Sequence, residues 1–111
     1  MIFNILVSNT DDHLRNHGFI LNEKGWELSP AYDLNPTIDK DGLSLNIDLN
    51  NNDLSIDLAM SVGLYFRLQT SEMKQIIKEV KQSVNQWREI ADSIGISRVE
   101  QELMSPAFRV E

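Results

Sequence analysis

The chain has 111 residues, enough for one small domain with a single core, and its 41% apolar and 24% charged residues are those of a globular chain rather than a disordered or fibrous one. Seventeen acidic against ten basic residues give a net charge of −7, which repels phosphate backbones and anionic lipid and argues against direct nucleic-acid or membrane binding. The absence of cysteine excludes disulfides and thiolate metal sites, suits a reducing cytoplasm, and leaves oxygen and imidazole as the available metal donors.

Met1 to Val7 is a nearly continuous apolar run, too short to assign by periodicity, and reads either as a buried strand or as the end of a helix. It has no basic leader and no small-residue cleavage site, so it does not read as a signal peptide. No apolar run approaches the roughly 20 residues that span a bilayer. A compact polar segment, Ser8 to Asn16, follows. Gly18 to Leu21 and Trp26 to Leu28, joined by the polar turn Asn22-Glu23-Lys24-Gly25, predict a β-hairpin. Ser29 to Pro36 contains two prolines and reads as a shaped loop.

From Thr37 to Asp53 the chain is rich in Asp and Asn, and the alternation of Leu43, Leu45, Ile47 and Leu49 predicts a half-buried strand ending at Asn50-Asn51-Asn52. A helix is expected from Ser55 to Phe66, with Ile56, Ala59, Met60, Gly63 and Leu64 near one face. Thr70 or Ser71 caps a longer helix whose apolar residues, from Met73 to Ile94, recur every three or four positions until Gly95 stops it. Such a helix would be roughly 36 Å long. Ser97, with Glu100 three residues on, predicts a last short helix to Met104, before Pro106. The expected fold is mainly helical, α+β, with a small hairpin between two polar loops.

Those loops carry the chemistry. Phosphoryl transfer needs a carboxylate that orients or deprotonates the attacking hydroxyl, and hard oxygen ligands for magnesium on the nucleotide phosphates. Asp11, Asn16 and Asp33 can supply that set. Protein kinases place a metal-binding Asn five residues after the catalytic Asp and a second metal-binding Asp across a short hairpin, and Asp11 to Asn16 is that interval. Asp12 misses it. On spacing alone, turn chemistry in an Asp/Asn-rich loop is an equal alternative, and a metal-dependent hydrolase using Asp11, Asp12, His13 and Asp33 ranks last.

Thr10-Asp11-Asp12-His13-Leu14-Arg15-Asn16 resembles the catalytic loop of the HipA-like serine/threonine protein kinases, and Ala31-Tyr32-Asp33-Leu34 resembles the metal-binding segment of the same family. Trp87-Arg88, Gly95-Ile96 and the tail Met104 to Phe108 look like the end of that family's C-terminal lobe. The resemblance covers essentially all of residues 1–111 and implies a C-terminal kinase lobe. It implies Asp11 as the catalytic base, Asn16 and Asp33 as Mg2+ ligands, and His13 and Arg15 as residues shaping the cofactor-binding side of the loop. It also implies ATP as phosphate donor, a protein substrate, a cytoplasmic location and, as in HipBA-type toxin-antitoxin systems, a small DNA-binding HipB-like antitoxin as partner. Two positions depart from the family pattern: Arg15 stands where Lys is usual, and Asp12 where a small residue is usual.

No G-x-G-x-x-G phosphate loop occurs in the chain, and the strand carrying the nucleotide-binding lysine would precede Met1. The isolated chain is therefore expected to have little or no kinase activity. The competing expectation is a catalytically inactive lobe that docks on an antitoxin or on a separate ATP-binding half, or self-associates through exposed apolar surface.

Thr37 to Gly42, with Asp48 beyond, loosely resembles a calcium loop but lacks the terminal ligands, and reads as an ordinary turn. His17 reads as a surface or packing residue, and Tyr32 as a brace for the Asp33 loop. Trp26, Trp87, Tyr65, Phe66 and Phe108 are expected in the core or in lobe packing, and the polar face from Lys74 to Gln82 in solvent.

Overall fold

In the computed structural model, which describes residues 1–110, the opening apolar run is a helix, α1 (Ile2–Leu6). Apart from Asn4 it is apolar, and it is covered on more than one side, as such a helix must be. Ile5 packs with Leu43 and Ala59, while Leu6 and Val7 pack with Val84, and Ile2, Ile56, Val80, Phe108 and Val110 fill in around them. The α+β fold expected from sequence is thus organised about a helix of five residues.

The hairpin forms where the turn residues predict it. Strands β1 (Phe19–Asn22) and β2 (Gly25–Leu28) pair antiparallel with Asn22 opposite Gly25. Gly25 has φ +114°, a conformation open to glycine, and the Asn22 side chain accepts the Lys24 N–H at 2.8 Å, closing the turn. By the register Phe19, Leu21, Trp26 and Leu28 share one face and Ile20 lies on the other, and all five are exposed. The hairpin's projection fits a radius of gyration of 15.4 Å, above the about 13 Å of a closely packed chain this long.

The strand expected at Leu43 to Leu49 does not form; one isolated bridge joins Gly42 to Asp53. Asn and Asp side chains take the backbone groups a ladder would need. Asp48 Oδ1 accepts from Asn50 N, Asn51 Oδ1 accepts from Asp53 N, and Asn52 Nδ2 donates to Leu43 O. The alternation survives as burial, with Leu43 buried and Leu45 and Ile47 half-buried, but Leu49 at the tip is 92% exposed.

Two predicted helices are broken. The first is α2 (Ile56–Ser61), capped by the Ser55 hydroxyl, followed by a 3-10 turn, Gly63–Phe66, that ends at Arg67 with φ 59°. Gly63 is packed against Met73, whose thioether would have to shift to admit a β-carbon, whereas Leu64 is exposed rather than inward. The long helix is two pieces, α3 (Thr70–Asn85) and α4 (Trp87–Ser93). At Gln86 the N–H turns to Ser83 O, a local 3-10 tightening. Just past this break, Trp87 stacks on Phe108 at 4.1 Å, with the Arg88 guanidinium over the indole. Glu72 accepts the Gln69 N–H at 2.8 Å, so the cap lies one residue before Thr70.

Gly95 (φ +81°) ends α4 as predicted, and α5 (Arg98–Met104) starts with the expected capping box of Ser97 and Glu100. The Ser97 hydroxyl, and then its backbone N–H, hold the Glu100 carboxyl below the ordinary carboxylate range. Trp26, Tyr65 and Phe66, expected in packing, are exposed. No helix among the described residues is long and apolar enough to cross a membrane.

Leu6→Ala, at a side chain 1% exposed, is expected to cost about 3 kcal/mol in urea unfolding, whereas Leu49→Ala should stay within about 0.5 kcal/mol.

Candidate functional site

The first three residues of the polar segment after α1, Ser8, Asn9 and Thr10, are buried. Ser8 takes a left-handed φ of 52°, and its hydroxyl donates to Ala107 O at 2.8 Å while accepting from Arg109 Nε at 3.0 Å. The Arg109 N–H reaches back to Leu6 O at 2.7 Å. On the other side, Thr37 N donates to Ser8 O, and both the N–H and the hydroxyl of Ser44 donate to Thr10 O, at 3.0 and 2.6 Å. The loop is therefore clamped between the C-terminal tail and the segment from Thr37 to Ser44, and it releases Asp11 into solvent with its side chain 79% exposed.

A single 3-10 turn, Leu14–Asn16, then carries Asn16 to the base of the hairpin. The chain returns along β2 to Asp33, which has φ 55°, an uncommon conformation for a residue with a side chain. That turn brings the predicted pair together: Asn16 Nδ2 donates to Asp33 Oδ2 at 3.0 Å, and Asn35 Nδ2 donates to Asp33 Oδ1 at 2.7 Å. The Tyr32 hydroxyl donates to Arg15 O at 2.8 Å, tying the two loops as expected of a brace. Asp11 and Asp33 share a cleft of about 360 Å³, whose wall includes Thr10, Asn35, Thr37 and Lys40. The Lys40 ammonium lies 3.8 Å from Asp11.

Asp12, next to Asp11 in sequence, lines a different groove, and so does Asn16, which reaches the cleft through its bond to Asp33. Its side chain is 13% exposed, accepts from Asn4 Nδ2 at 2.8 Å and bonds His17 Nε2 at 2.9 Å, and Asn9 Nδ2 in turn donates to Asn4 Oδ1 at 3.0 Å. Burial lowers the pKa of the Met1 α-amine, against an opposing pull from the Asp12 charge. Asp12 thus belongs to a polar network under the loop rather than to the cleft. Neither His13 nor Arg15 lines the cleft; His13 Nδ1 and Thr10 Oγ1 are buried without a hydrogen-bond partner among the described residues.

The family model of the HipA-like C-terminal domain matches residues 1–88, most of the chain. The chain belongs to this family. The match takes in both polar loops and the hairpin between them, so Asp11, Asn16 and Asp33 all lie within the HipA-like region. No curated protein and no solved structure matches the chain.

Sequence reading missed three participants. Asn4 interrupts an otherwise apolar helix, a signal that it needs a polar partner. His17 read as a surface or packing residue and is exposed, but its bond to Asp12 was not foreseen, and Lys40 read as part of an ordinary turn. The two aspartates should therefore separate in a stability measurement. Asp12→Ala is expected to destabilise the chain by about 1–3 kcal/mol in urea titration, since it strands Asn4, whereas Asp11→Ala should change stability by less than about 0.5 kcal/mol.

Proposed function

We propose that this HipA-like domain supplies the catalytic and magnesium-binding loops of a serine/threonine protein kinase that transfers the γ-phosphate of ATP to a protein hydroxyl. The observation that carries the reading is the Asn16 amide on the Asp33 carboxylate at 3.0 Å, with Asp11 opening into the same cleft as Asp33. Residues seventeen positions apart meet here only because the hairpin folds between them.

The donor set fits Mg2+. Among the described residues no group of three or more His, Cys, Asp or Glu side chains is arranged to hold a metal, and Mg2+ is usually held by one or two protein carboxylates together with phosphate oxygens and water. Asp33 and Asn16 offer that partial shell. When bound, the ion would neutralise charge on the phosphate oxygens. The acceptor hydroxyl oxygen then bonds to the γ-phosphorus as the bond to the bridging oxygen breaks. ADP departs with that electron pair, and Asp11 receives the hydroxyl proton. Asp11 suits this role because it is exposed and loosely paired, whereas Asp12, held by Asn4 and His17, does not.

The test is a ¹⁵N-NMR titration of the chain with ATP, with and without Mg2+, which detects weak binding independently of turnover. Magnesium-dependent shifts in residues 9–16 and 31–40 are expected, lost on Asn16→Ala or Asp33→Asn and retained in Asp11→Asn. Turnover by the isolated chain is expected to be low, and Mg2+-independent or absent binding would defeat the reading.

The exposed hairpin favours a second reading, a catalytically inactive module docking on an antitoxin or on an ATP-binding half. Trp26 is 70% exposed and Phe19 67%, beside Leu21 and Leu28 on a two-stranded sheet that covers neither face. Sedimentation velocity distinguishes this surface's behaviour: self-association that disappears in Trp26→Ser supports it, and a strictly monomeric chain counts against it.

A further inference from the structure

Phosphoryl transfer needs positive charge on the phosphates as well as a metal and a base, and the chain contains no Gly-rich phosphate loop. The Asp11 cleft nevertheless has a cation in its wall. Lys40 lies on the arc between Thr37 and Ser44, and both ends of that arc are pinned to the loop bearing Asp11, through Thr37 N to Ser8 O at 3.1 Å and Ser44 N to Thr10 O at 3.0 Å. Within the arc, the Thr37 hydroxyl accepts the Asp39 N–H at 3.1 Å, shaping the turn that presents Lys40. The lysine backbone is thus indexed to the proposed base through two anchors, while its side chain stays free to move.

Its pairing with Asp11 is loose. The separation of 3.8 Å exceeds the length of a charge-assisted hydrogen bond, and the two side chains are 57% and 79% exposed. Exposed pairs of this kind contribute little to stability, so exchanging one anionic partner for another costs little. A terminal phosphate carries more charge than a carboxylate and offers three acceptor oxygens.

We infer that Lys40 is the cation that receives the terminal phosphate of a nucleoside triphosphate held at Asn16 and Asp33, exchanging its ion pair with Asp11 for one with the phosphate. This rests on the kinase reading of the cleft and adds a device to it. Asp11 is occupied by Lys40 while the cleft is free of phosphate, and is released to the acceptor hydroxyl when a triphosphate draws the ammonium away. The base is thereby exposed only when there is a phosphoryl group to transfer. A diphosphate, lacking the terminal group, leaves Lys40 on Asp11.

The test titrates Mg·ATP and Mg·ADP separately into the wild-type chain, Lys40→Met and Lys40→Arg, following amide shifts by NMR. Lys40→Met is expected to weaken Mg·ATP by about tenfold while leaving Mg·ADP within about twofold, and Lys40→Arg to keep most of the ATP affinity. Unchanged circular dichroism and melting are expected in both variants because the side chain is exposed. Unaltered ATP affinity in Lys40→Met, in a chain that still loses it on Asp33→Asn, overturns the role of Lys40 and leaves the cleft reading standing. Equal loss of ATP and ADP affinity also overturns it, since such a cation does not discriminate the terminal phosphate. No magnesium-dependent binding of either nucleotide to the wild-type chain overturns both.

Discussion

Everything in this fold depends on burying a stretch of polar backbone. Residues 4–10 run through the centre of the molecule, and Thr10 is fully buried. A buried peptide group without a partner costs as much as a lost hydrogen bond, so the structure on either side is arranged to supply partners. The tail contributes Arg109 and Ala107, the segment after the hairpin contributes Thr37 and Ser44, and Asn9 turns back to Asn4. These bonds join stretches of chain about a hundred residues apart, Ser8 to Ala107 and Arg109, and they fix the point from which Asp11 emerges. The proposed base is exposed, but its foundation is not.

Features written in adjacent residues were legible from sequence. The hairpin follows from Asn22 to Gly25, the end of α4 from Gly95, and α5 from Ser97 with Glu100, because each is decided by local backbone chemistry. The interval from Asp11 to Asn16 and the Asp33 beyond it were legible as a pattern, and the fold brings Asn16 and Asp33 into contact. Features decided at a distance were not. The alternation from Leu43 to Leu49 registers burial correctly, but side-chain amides and carboxylates compete for the backbone and prevent a strand. Continuous helical periodicity from Met73 to Ile94 gives no sign of the break at Gln86, beside which the tail residue Phe108 packs on Trp87. The bond between Asn4 and Asp12 depends on where α1 ends, and no spacing rule contains it.

The backbone is least ordinary around the site. Among the described residues three non-glycine residues have positive φ, and two of them, Ser8 and Asp33, lie on the two loops that meet at the cleft. Each such conformation costs of order 1 kcal/mol or more and persists only where surrounding bonds over-determine it. At Ser8 these are the bonds to the tail and to Thr37; at Asp33 they are the two asparagine amides. The same bonds that hold the strained turns hold the side chains of the candidate site, so geometry and strain are maintained together.

The hairpin stands between Asn16 and Asp33 in the chain, and its base is closed by the Ser29 N–H on Gly18 O at 2.8 Å. Mechanically it is a lever with its fulcrum at that bond. The exposed strands form the long arm, and the two proposed metal ligands sit at the ends of the short one. A load on the strands transmits torque directly to the separation of Asn16 and Asp33, so whatever steadies the arm steadies the grip of the jaws.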